Sequence, residues 1–361
     1  MKLLLTTDSV GGVWQYATGL ARALPAYGVE PVLAVLGPAP SEDQRREADG
    51  LRLIETGLPL DWLADTPNQV VAAGRALAVL ARRERADLVQ VNAPALATGD
   101  FSVPVIAVAH SCLLTWWDAA GDGALPDDFR WRAELHAEGL RNADLVVTPS
   151  AAFADATGRA YALDRRPTVV HNGRASLQVE ESAPGDLAFT AGRLWDRAKN
   201  VATLDAAAEV LSVPLYAAGP VSGPNGDAIV LHHAVTLGRL GQDEIAARLS
   251  ARPVFVSAAV YEPFGLAVLE AAQAGCPLVL SDIPTFRELW DGAARFVAPD
   301  DADGFAAAIG DMIADGDARA ESGGAAARQA ARYSLDAMAG AMARIYGDLL
   351  GGGVRQARAA A

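Results

Sequence analysis

The sequence predicts an α/β protein made of two doubly wound domains. Short apolar runs of strand length alternate with helical stretches almost throughout the chain, as in a parallel sheet covered by helices on both faces. The alternation pauses between Thr168 and Gly185 and then restarts. With 361 residues, the chain also exceeds the size that one hydrophobic core commonly supports. Such sheets bind ligands at the carboxyl ends of their strands, so functional residues are expected directly after strands.

The first domain begins with a predicted strand, Lys2–Thr6, followed by a helix whose apolar stripe runs from Val13 to Leu24. A second helix is predicted over Val70–Arg83 from its Ala and Leu stripe. The remaining apolar runs have the length of buried strands: Val32–Leu36, Leu51–Ile54, Leu88–Val91, Val103–Ala109 and Leu145–Thr148.

The second domain repeats the pattern and is complete by about Arg332, judged by the elements that a doubly wound unit needs. Its predicted strands are Leu187–Ala191, Leu215–Ala218, Val254–Ser257 and Pro277–Leu280. The stretch Val179–Gly185 is predicted to be a surface connection, and the tail after Gly351 is expected to fray.

The last predicted helix, Leu335–Leu350, carries an apolar stripe that still needs a partner. Its members are Met338, Met342, Ile345 and Leu349. We therefore predict that this helix crosses back onto the first domain. The predicted domains are 1–170 with 335–361, and 171–334.

The composition indicates a globular protein, with 51% hydrophobic and 20% charged residues. A net charge of −14 disfavours nucleic acid and anionic lipid as general partners. No run is long enough to span a bilayer, and Met1–Thr6 lacks the long apolar core of a signal peptide. We expect a cytoplasmic protein whose cysteines, Cys112 and Cys276, are reduced core residues. Contact with a membrane surface and the oligomeric state stay open.

The segment Tyr261–Glu270 is the strongest candidate for a functional motif. Pro263 and Gly265 mark a turn after a strand, and a helix is predicted from Leu266. The N–H groups of Phe264, Gly265 and Leu266 would point out of the helix start, where a diphosphate binds well. Carboxylates at Glu262 and Glu270 could accept hydrogen bonds from sugar and ribose hydroxyls. The spacing fits equally well a helix cap at Glu262 and a solvated helix residue at Glu270.

Two further candidates follow strands of the first domain. Gly11 and Gly12 lie where the first strand meets the first helix and would allow a phosphate or an acceptor to approach the backbone, although a plain tight turn explains them as well. His110 ends an apolar strand and would project into the ligand crevice, or else be a core histidine bonded to backbone.

Taken together, these motifs resemble glycosyltransferase family four, whose fold is GT-B: two Rossmann-like domains facing across a cleft. The resemblance covers most of the chain in the family's order. It is carried by Glu262-Pro-Phe-Gly with Glu270, Phe189-Thr-Ala-Gly-Arg-Leu194 with Lys199-Asn200, His171-Asn-Gly173, Asp8 to Gly12, and Asp144 to Ser150. The chain departs from the family's general pattern at Asn200, where many relatives have Gly, and at Trp116-Trp117 and Arg174.

The resemblance implies a retaining glycosyltransferase that moves a hexose from a nucleotide-diphosphate sugar to a hydroxyl acceptor. It assigns His110 and Glu262 to the donor sugar, and Arg193 and Lys199 to the diphosphate, as catalytic residues. Substrate-binding roles fall to Asn172, Glu270, the glycine loop and the turn from Pro263 to Leu266. In this family the last helix docks on the first domain.

No metal or other cofactor is expected, because two fixed cations and aligned N–H groups can stabilise a leaving diphosphate. The Asp-x-Asp pairs at 301–303 and 315–317 lie where loops enter helices, with Asp303 and Asp317 directly before the predicted helices, so helix capping explains them more simply than metal binding. Uridine is favoured over guanosine as the donor base. The acceptor is expected in the first domain, near Trp14 and Trp116-Trp117, whose rings offer sugar-stacking faces.

Two other classes of function stay open. One is a GT-B sugar-nucleotide epimerase or phosphorylase; the other is a non-catalytic nucleotide-sugar-binding protein. The four residues His110, Glu262, Arg193 and Lys199 together favour the transferase.

Overall fold

The computed structural model describes residues 1–176, 182–223 and 226–351. The chain forms two compact units, Met1–Gly173 with Leu335–Ala361, and Arg174–Ser334. The predicted fraying tail and part of the predicted surface connection, Val179–Gly185, lie outside the described residues. None of the described helices combines the length and apolar character that crossing a bilayer requires.

A parallel seven-stranded sheet forms the centre of the first unit, in the order β3-β2-β1-β4-β5-β6-β7. Its strands are β1 Lys2–Asp8, β2 Glu30–Leu36, β3 Leu53–Glu55, β4 Leu88–Val91, β5 Val105–Val108, β6 Leu145–Thr148 and β7 Thr168–Val169. Its first six helices are α1 Gly12–Ala23, α2 Glu42–Glu47, α3 Pro67–Glu84, α4 Leu113–Ala120, α5 Asp127–Asn142 and α6 Ala151–Ala160. The strand order reverses direction at β1 and β4, as in a doubly wound fold.

Helices cover both faces of this sheet, as the alternation along β1 shows. Leu4 packs into a core cluster with Val70 and Leu77 of α3. Leu3 and Leu5 point the other way, into a cluster with Leu20 of α1. Successive side chains of a strand point to opposite faces, so a strand that is apolar at every position must be buried on both.

The second unit contains a parallel six-stranded sheet in the order β10-β9-β8-β11-β12-β13. Its strands are β8 Ala188–Ala191, β9 Leu215–Ala218, β10 Val235–Gly238, β11 Val254–Ser257, β12 Leu278–Ser281 and β13 Arg295–Val297. Its helices are α7 Val201–Val210, α8 Gln242–Ser250, α9 Leu266–Gln273, α10 Pro284–Trp290, α11 Ala302–Ala314 and α12 Gly316–Ala330. Each unit therefore contains one doubly wound parallel sheet, as the sequence predicted.

The predicted strands are all present, but the sequence did not predict β7, β10 and β13. Each of these three lies at the edge of its sheet. Edge strands are covered less completely, and the side chains of β10 are mostly exposed. Without a continuous apolar run, they left no strand signal in the sequence.

The last helix, α13 Leu335–Gly351, belongs to the first unit. It buries Met338, Met342 and Tyr346 in the core cluster that contains Leu3 and Leu5. Tyr346 is fully buried, whereas Ile345, which the apolar stripe had included, is only partly covered.

The first unit also extends three residues beyond the predicted boundary. His171-Asn-Gly173, expected to open the second domain, stays with the first unit. The Gly173 N–H lies 3.1 Å from the Sδ atom of Met338, so α13 holds this segment. Asn172, which is buried, was therefore placed in the wrong domain by the sequence prediction.

The packing of α13 makes a testable prediction about stability. Met342→Ala should lower the free energy of unfolding of the first unit by about 2–5 kcal/mol, because it leaves a cavity in the core. Asp348→Ala, on the exposed face of the same helix, should change it by less than about 0.5 kcal/mol. Urea unfolding monitored by circular dichroism measures both. Equal effects of the two substitutions would contradict the packing.

Candidate functional site

The turn before α9 is shaped by one glycine. Gly265 has φ +91° and forms the N-cap of the helix. A Cβ atom at this position would lie 3.2 Å from Phe286 and 3.4 Å from the Cγ atom of Glu262. Only glycine adopts this conformation readily, so the residue fixes how the loop enters the helix. The first N–H groups of α9 have no partner within the helix and form its positive end.

Glu262 and Lys199 form an ion pair beside this turn. The Lys199 ammonium contacts the Glu262 Oε2 atom, and the two side chains are 22% and 17% exposed. The Phe264 N–H faces the other carboxylate oxygen at 3.5 Å. The structure thus brings together two sequence-predicted residues that are 63 positions apart.

Backbone hydrogen bonds hold the two segments that carry this pair. Lys199 ends a short 3₁₀ helix, Arg197–Lys199, whose N-cap is Asp196. The carbonyl of Ala198 in this helix accepts hydrogen bonds from the N–H groups of Val260 at 2.9 Å and Tyr261 at 3.4 Å. The loop after β11 is therefore fixed on the loop after β8.

Arg193 lies in the same loop but is held by a different carboxylate. Its Nη2 and Nε atoms donate to the Oδ2 atom of Asp196 at 2.8 and 3.3 Å. The Arg193 side chain is 47% exposed, while Asp196 is buried. Asp196 also accepts from the Ala198 N–H at 3.0 Å, so it joins Arg193 to the 3₁₀ helix. Sequence reasoning missed Asp196, although it follows Arg193 by three positions.

Asn200 explains how the chain tolerates its departure from the family pattern. Its backbone is left-handed, with φ +49°, a conformation that asparagine adopts more easily than most residues. The Asn200 side-chain amide donates to the carbonyls of Pro299 at 2.7 Å and Ala258 at 3.1 Å. Asparagine thus replaces glycine at a position that needs positive φ, and its side chain adds two hydrogen bonds that fix the loop.

A pocket opens where β8 and β11 end. It has about 370 Å³ of empty space, counting the part open to solvent. Lys199, Glu262 and Gly265 line it together with Thr190, Gly192 and Ser257. Gly192 lies so close to Gly219, after β9, that a Cβ atom on Gly219 would be 1.7 Å from the Gly192 carbonyl oxygen. The backbone of the two loops therefore packs directly together beside the pocket.

Glu270 is not a solvated helix residue. Its Oε1 atom accepts a hydrogen bond of 2.5 Å from the Nε atom of Arg174, and both side chains are 16% exposed. The backbone of Arg174 is held as well, since its N–H donates to Tyr333 and its carbonyl accepts from Gln273. Arg174, singled out by the sequence without a role, is thus the partner of a predicted substrate-binding carboxylate.

The other predicted residues lie in the first unit. His110 follows β5, with its Nε2 atom 3.1 Å from the Oδ1 atom of Asn92 and its ring edge-to-face with Tyr16. Burial lowers the pKa of His110 to about 3, so the imidazole is neutral at physiological pH. Gly11 caps α1 in an extended conformation, φ −152°, and the exposed Gly12 begins the helix. This φ does not itself require glycine.

One expectation about the acceptor was wrong. Trp14 is completely buried, and its Nε1 atom donates to Glu47 at 3.2 Å, so its ring cannot stack on a sugar. Trp14 lies on the buried face of α1, so its side chain is part of the core. Trp116 and Trp117 are partly exposed, and the Trp117 Nε1 atom donates to the Gly123 carbonyl at 3.1 Å.

Each acidic pair supplies a helix cap, as predicted, but the helices begin before Asp303 and Asp317 rather than after them. Asp301 caps α11 by accepting from the Gly304 N–H at 2.8 Å. Asp315 caps α12 by accepting from the N–H groups of Asp317 and Ala318. In both pairs the first aspartate is the cap. Across the part of the chain that the structure describes, no three His, Cys, Asp or Glu side chains are grouped to hold a metal ion.

Comparison with known proteins supports the same family. Residues 10–174 match the family profile of Glycosyltransferase Family 4, and residues 185–315 match that of Glycosyl transferases group 1. The chain is 28% identical to glycogen synthase of Mycobacterium tuberculosis over 93% of this chain and 91% of that one. It is 37% identical to phosphatidyl-myo-inositol mannosyltransferase of Mycolicibacterium smegmatis, over 32% of each chain.

A solved structure extends the similarity to the whole fold. Anabaena HepE in complex with UDP-glucose superimposes with a TM-score of 0.75 and 19% identity, over 96% of this chain and 99% of that one. The two profiles together match most of the chain, one for each doubly wound unit. The chain is therefore a glycosyltransferase of family 4, with the GT-B fold.

Proposed function

We propose that this glycosyltransferase is retaining and metal-independent, and that it moves a hexose from a nucleotide-diphosphate sugar to a hydroxyl of a glycan, lipid or small molecule. The observation that carries the proposal is the Lys199–Glu262 pair in a pocket at the positive end of α9. Cation, carboxylate and helix terminus all line this one pocket. They match the three chemical parts of such a donor, as the following steps argue.

The diphosphate would lie against Lys199 and the first N–H groups of α9. Negative charge grows on the leaving diphosphate as the bond to the sugar breaks, and fixed positive groups stabilise that charge most when it is largest. Arg193 is exposed enough to add a second cation, and Asp196 holds it in the same loop. These groups supply the stabilisation that a divalent metal provides in other transferases.

Glu262 would then accept hydrogen bonds from the hexose hydroxyls. Its carboxylate is held by Lys199 on one oxygen and faces the Phe264 N–H with the other, so its orientation is fixed before the donor binds. Preorganisation of this kind removes the cost of ordering the side chain during the reaction. Glu270 would accept from the ribose diol, with Arg174 fixing one of its oxygens.

Retention follows if the acceptor attacks from the face that the leaving group vacates. In the proposed step, the bond between the sugar C1 and the phosphate oxygen breaks, and a bond from C1 to the acceptor oxygen forms on the same face. The departing phosphate oxygen takes the acceptor's proton. The protein then needs no strong base of its own, only positioning and charge stabilisation. His110 is proposed to hydrogen-bond the donor hexose.

A UDP-hexose is the favoured donor, and GDP-mannose is the alternative. The structure of HepE in complex with UDP-glucose supports the first, and the similarity to a mannosyltransferase keeps mannose open. Glycogen synthase, similar over nearly the full chain, is consistent with a glycan acceptor.

The proposal predicts transfer with retained anomeric configuration. Purified protein should be screened with UDP-glucose, UDP-galactose, UDP-N-acetylglucosamine and GDP-mannose, against a panel of sugar acceptors. Proton NMR of the first product should show the same anomer as the donor. An inverted product, an epimerised nucleotide sugar, or product formed only with inorganic phosphate would each overturn the proposal. Binding of the donor without turnover would instead indicate a non-catalytic binding protein.

The active enzyme should also keep its rate in a chelator. Turnover in EDTA without added metal is expected to stay within about twofold of the untreated rate, because Lys199, Arg193 and the helix terminus balance the diphosphate charge. The measurement is the initial rate with and without EDTA, then with Mn²⁺ or Mg²⁺ restored. A requirement for either metal would contradict the proposal.

Glu262→Gln should lower kcat/KM by about 100-fold or more, because the amide keeps the shape but loses both the charge and two acceptor lone pairs. Glu321→Gln is the matched control, since Glu321 is an exposed glutamate on α12 of the same unit. Steady-state kinetics measures the effect, and circular dichroism checks the fold of both variants. Near-normal turnover of Glu262→Gln would remove the central assignment.

A further inference from the structure

A buried hydrogen-bond network links the last helix to His110 within the first unit. The Tyr346 hydroxyl of α13 donates to the Oε1 atom of Gln90 at 2.5 Å. The Nε2 atom of Gln90 lies 3.1 Å from the Oδ1 atom of Asn92 and 3.3 Å from the Tyr16 hydroxyl. The Nε2 atom of His110 lies 3.1 Å from the same Oδ1 atom.

The direction of these hydrogen bonds follows from what each atom can do. The Nδ2 atom of Asn92 lies 2.6 Å from the Thr6 carbonyl, which can only accept, so the amide is oriented with its Oδ1 atom towards His110. That oxygen is also an acceptor only. His110 therefore donates from Nε2, and in the neutral ring its Nδ1 atom must carry the lone pair.

The amide of Gln90 is oriented in the same way. A flipped Gln90 amide would place its oxygen against the Asn92 Oδ1 atom, two acceptors facing each other, and its NH₂ group against the Tyr346 hydroxyl. With the observed orientation, the Gln90 NH₂ group donates to the Asn92 Oδ1 atom and to the Tyr16 hydroxyl, and the Gln90 oxygen accepts from Tyr346. Gln90 is fully buried and Asn92 nearly so, and in such surroundings an unpaired polar atom is costly.

We infer that Tyr346 is a positioning residue for His110. Acting through the two side-chain amides, and together with the Thr6 carbonyl that also orients Asn92, it holds the imidazole as one neutral tautomer, with the proton on Nε2 and an acceptor lone pair on Nδ1. Among the described residues, the structure gives that Nδ1 atom no hydrogen-bond partner. A neutral acceptor of this kind suits a hydroxyl group, which donates, and does not suit a phosphate oxygen, which only accepts.

Two parts of this inference are separable. The tautomer is a property of the first unit and needs no ligand. Its catalytic consequence rests on the proposed function, in which His110 receives a hydrogen bond from a hydroxyl of the donor hexose. If the tautomer were not fixed, the Nδ1 atom of His110 would carry the proton for part of the time. The donor hydroxyl would then face an N–H group in place of a lone pair.

Tyr346→Phe tests the inference, with Tyr27→Phe as the matched control. Tyr27 also bonds α13, through Asp336 at 2.7 Å, but this contact is exposed and does not reach His110. Long-range ¹H–¹⁵N correlation spectra of the histidine-labelled full chain identify the tautomer, and His110→Gln assigns the signal. We expect the pure Nε2–H tautomer in the wild type and in Tyr27→Phe, and a mixture of tautomers in Tyr346→Phe.

The kinetic expectation is a fall in kcat/KM of about fivefold to tenfold for Tyr346→Phe, equivalent to the loss of one hydrogen bond. The affinity for UDP should not change, because UDP carries no hexose. A fall in stability alone, with wild-type tautomer and wild-type kcat/KM, would show that Tyr346 is only structural and would overturn the inference. An Nδ1–H tautomer in the wild type would overturn it as well.

Asn92→Asp gives a second test that keeps the shape of the site. A carboxylate facing Nε2 favours the charged imidazolium and should raise the pKa of His110 from about 3 towards the physiological range. Below that raised pKa, Nδ1 carries a proton and cannot accept, so kcat/KM should fall as the pH is lowered from about 8 to 5. The wild-type rate should show no such fall from His110. If His110 stays neutral in Asn92→Asp at pH 5, the inference fails.

The NMR and kinetic results separate the two claims. If the chain transfers no sugar under any condition, the spectra still decide whether the network fixes the tautomer. If the tautomer changes in Tyr346→Phe while kcat/KM stays constant, the network exists but His110 does not accept from the donor, and the catalytic part of the inference is overturned.

Discussion

The ion pair between Lys199 and Glu262 joins the two loops from which the pocket of the second unit is built. Both side chains are largely withdrawn from water, and a withdrawn charge without a partner is costly. The ion pair therefore forms only if the 3₁₀ helix at Arg197–Lys199 and the turn before α9 are both in place. The hydrogen bonds to the Ala198 carbonyl and the left-handed residues Asn200 and Gly265 meet that requirement. The geometry of the pocket and the local folding of its loops thus depend on the same few contacts.

In the first unit, uncharged groups hold the neutral ring of His110 in place. His110 contacts an amide oxygen and an aromatic ring, and burial keeps it uncharged. The helix that completes its hydrogen-bond network is the last one in the chain. The segment that completes the core of the first unit therefore follows the whole second unit along the chain. The chain passes between the two units twice.

The two units also divide the chemistry by charge. In the second unit, the predicted catalytic carboxylate Glu262 is paired with Lys199, and the predicted substrate-binding carboxylate Glu270 is paired with Arg174. Such pairs suit a ligand that carries both a diphosphate and hydroxyl groups, since it can exchange contacts with either member. The neutral His110 suits the hydroxyl groups alone. This contrast is consistent with transfer of an uncharged sugar from a charged leaving group.

The sequence by itself determined the fold class, the buried strands, the helix that begins at Leu266 and the capping role of the two acidic pairs. These follow from the spacing of apolar residues and from local turn and cap chemistry, which neighbouring residues decide. Only the tertiary structure decided the distant partners: Arg174 for Glu270, Asn92 for His110, and the core for Trp14. For the same reason, the sequence did not predict the edge strands, the position of Asn172 or the network from Tyr346. They depend on contacts between residues far apart in the chain, and the spacing along one segment does not record which distant segment packs against it.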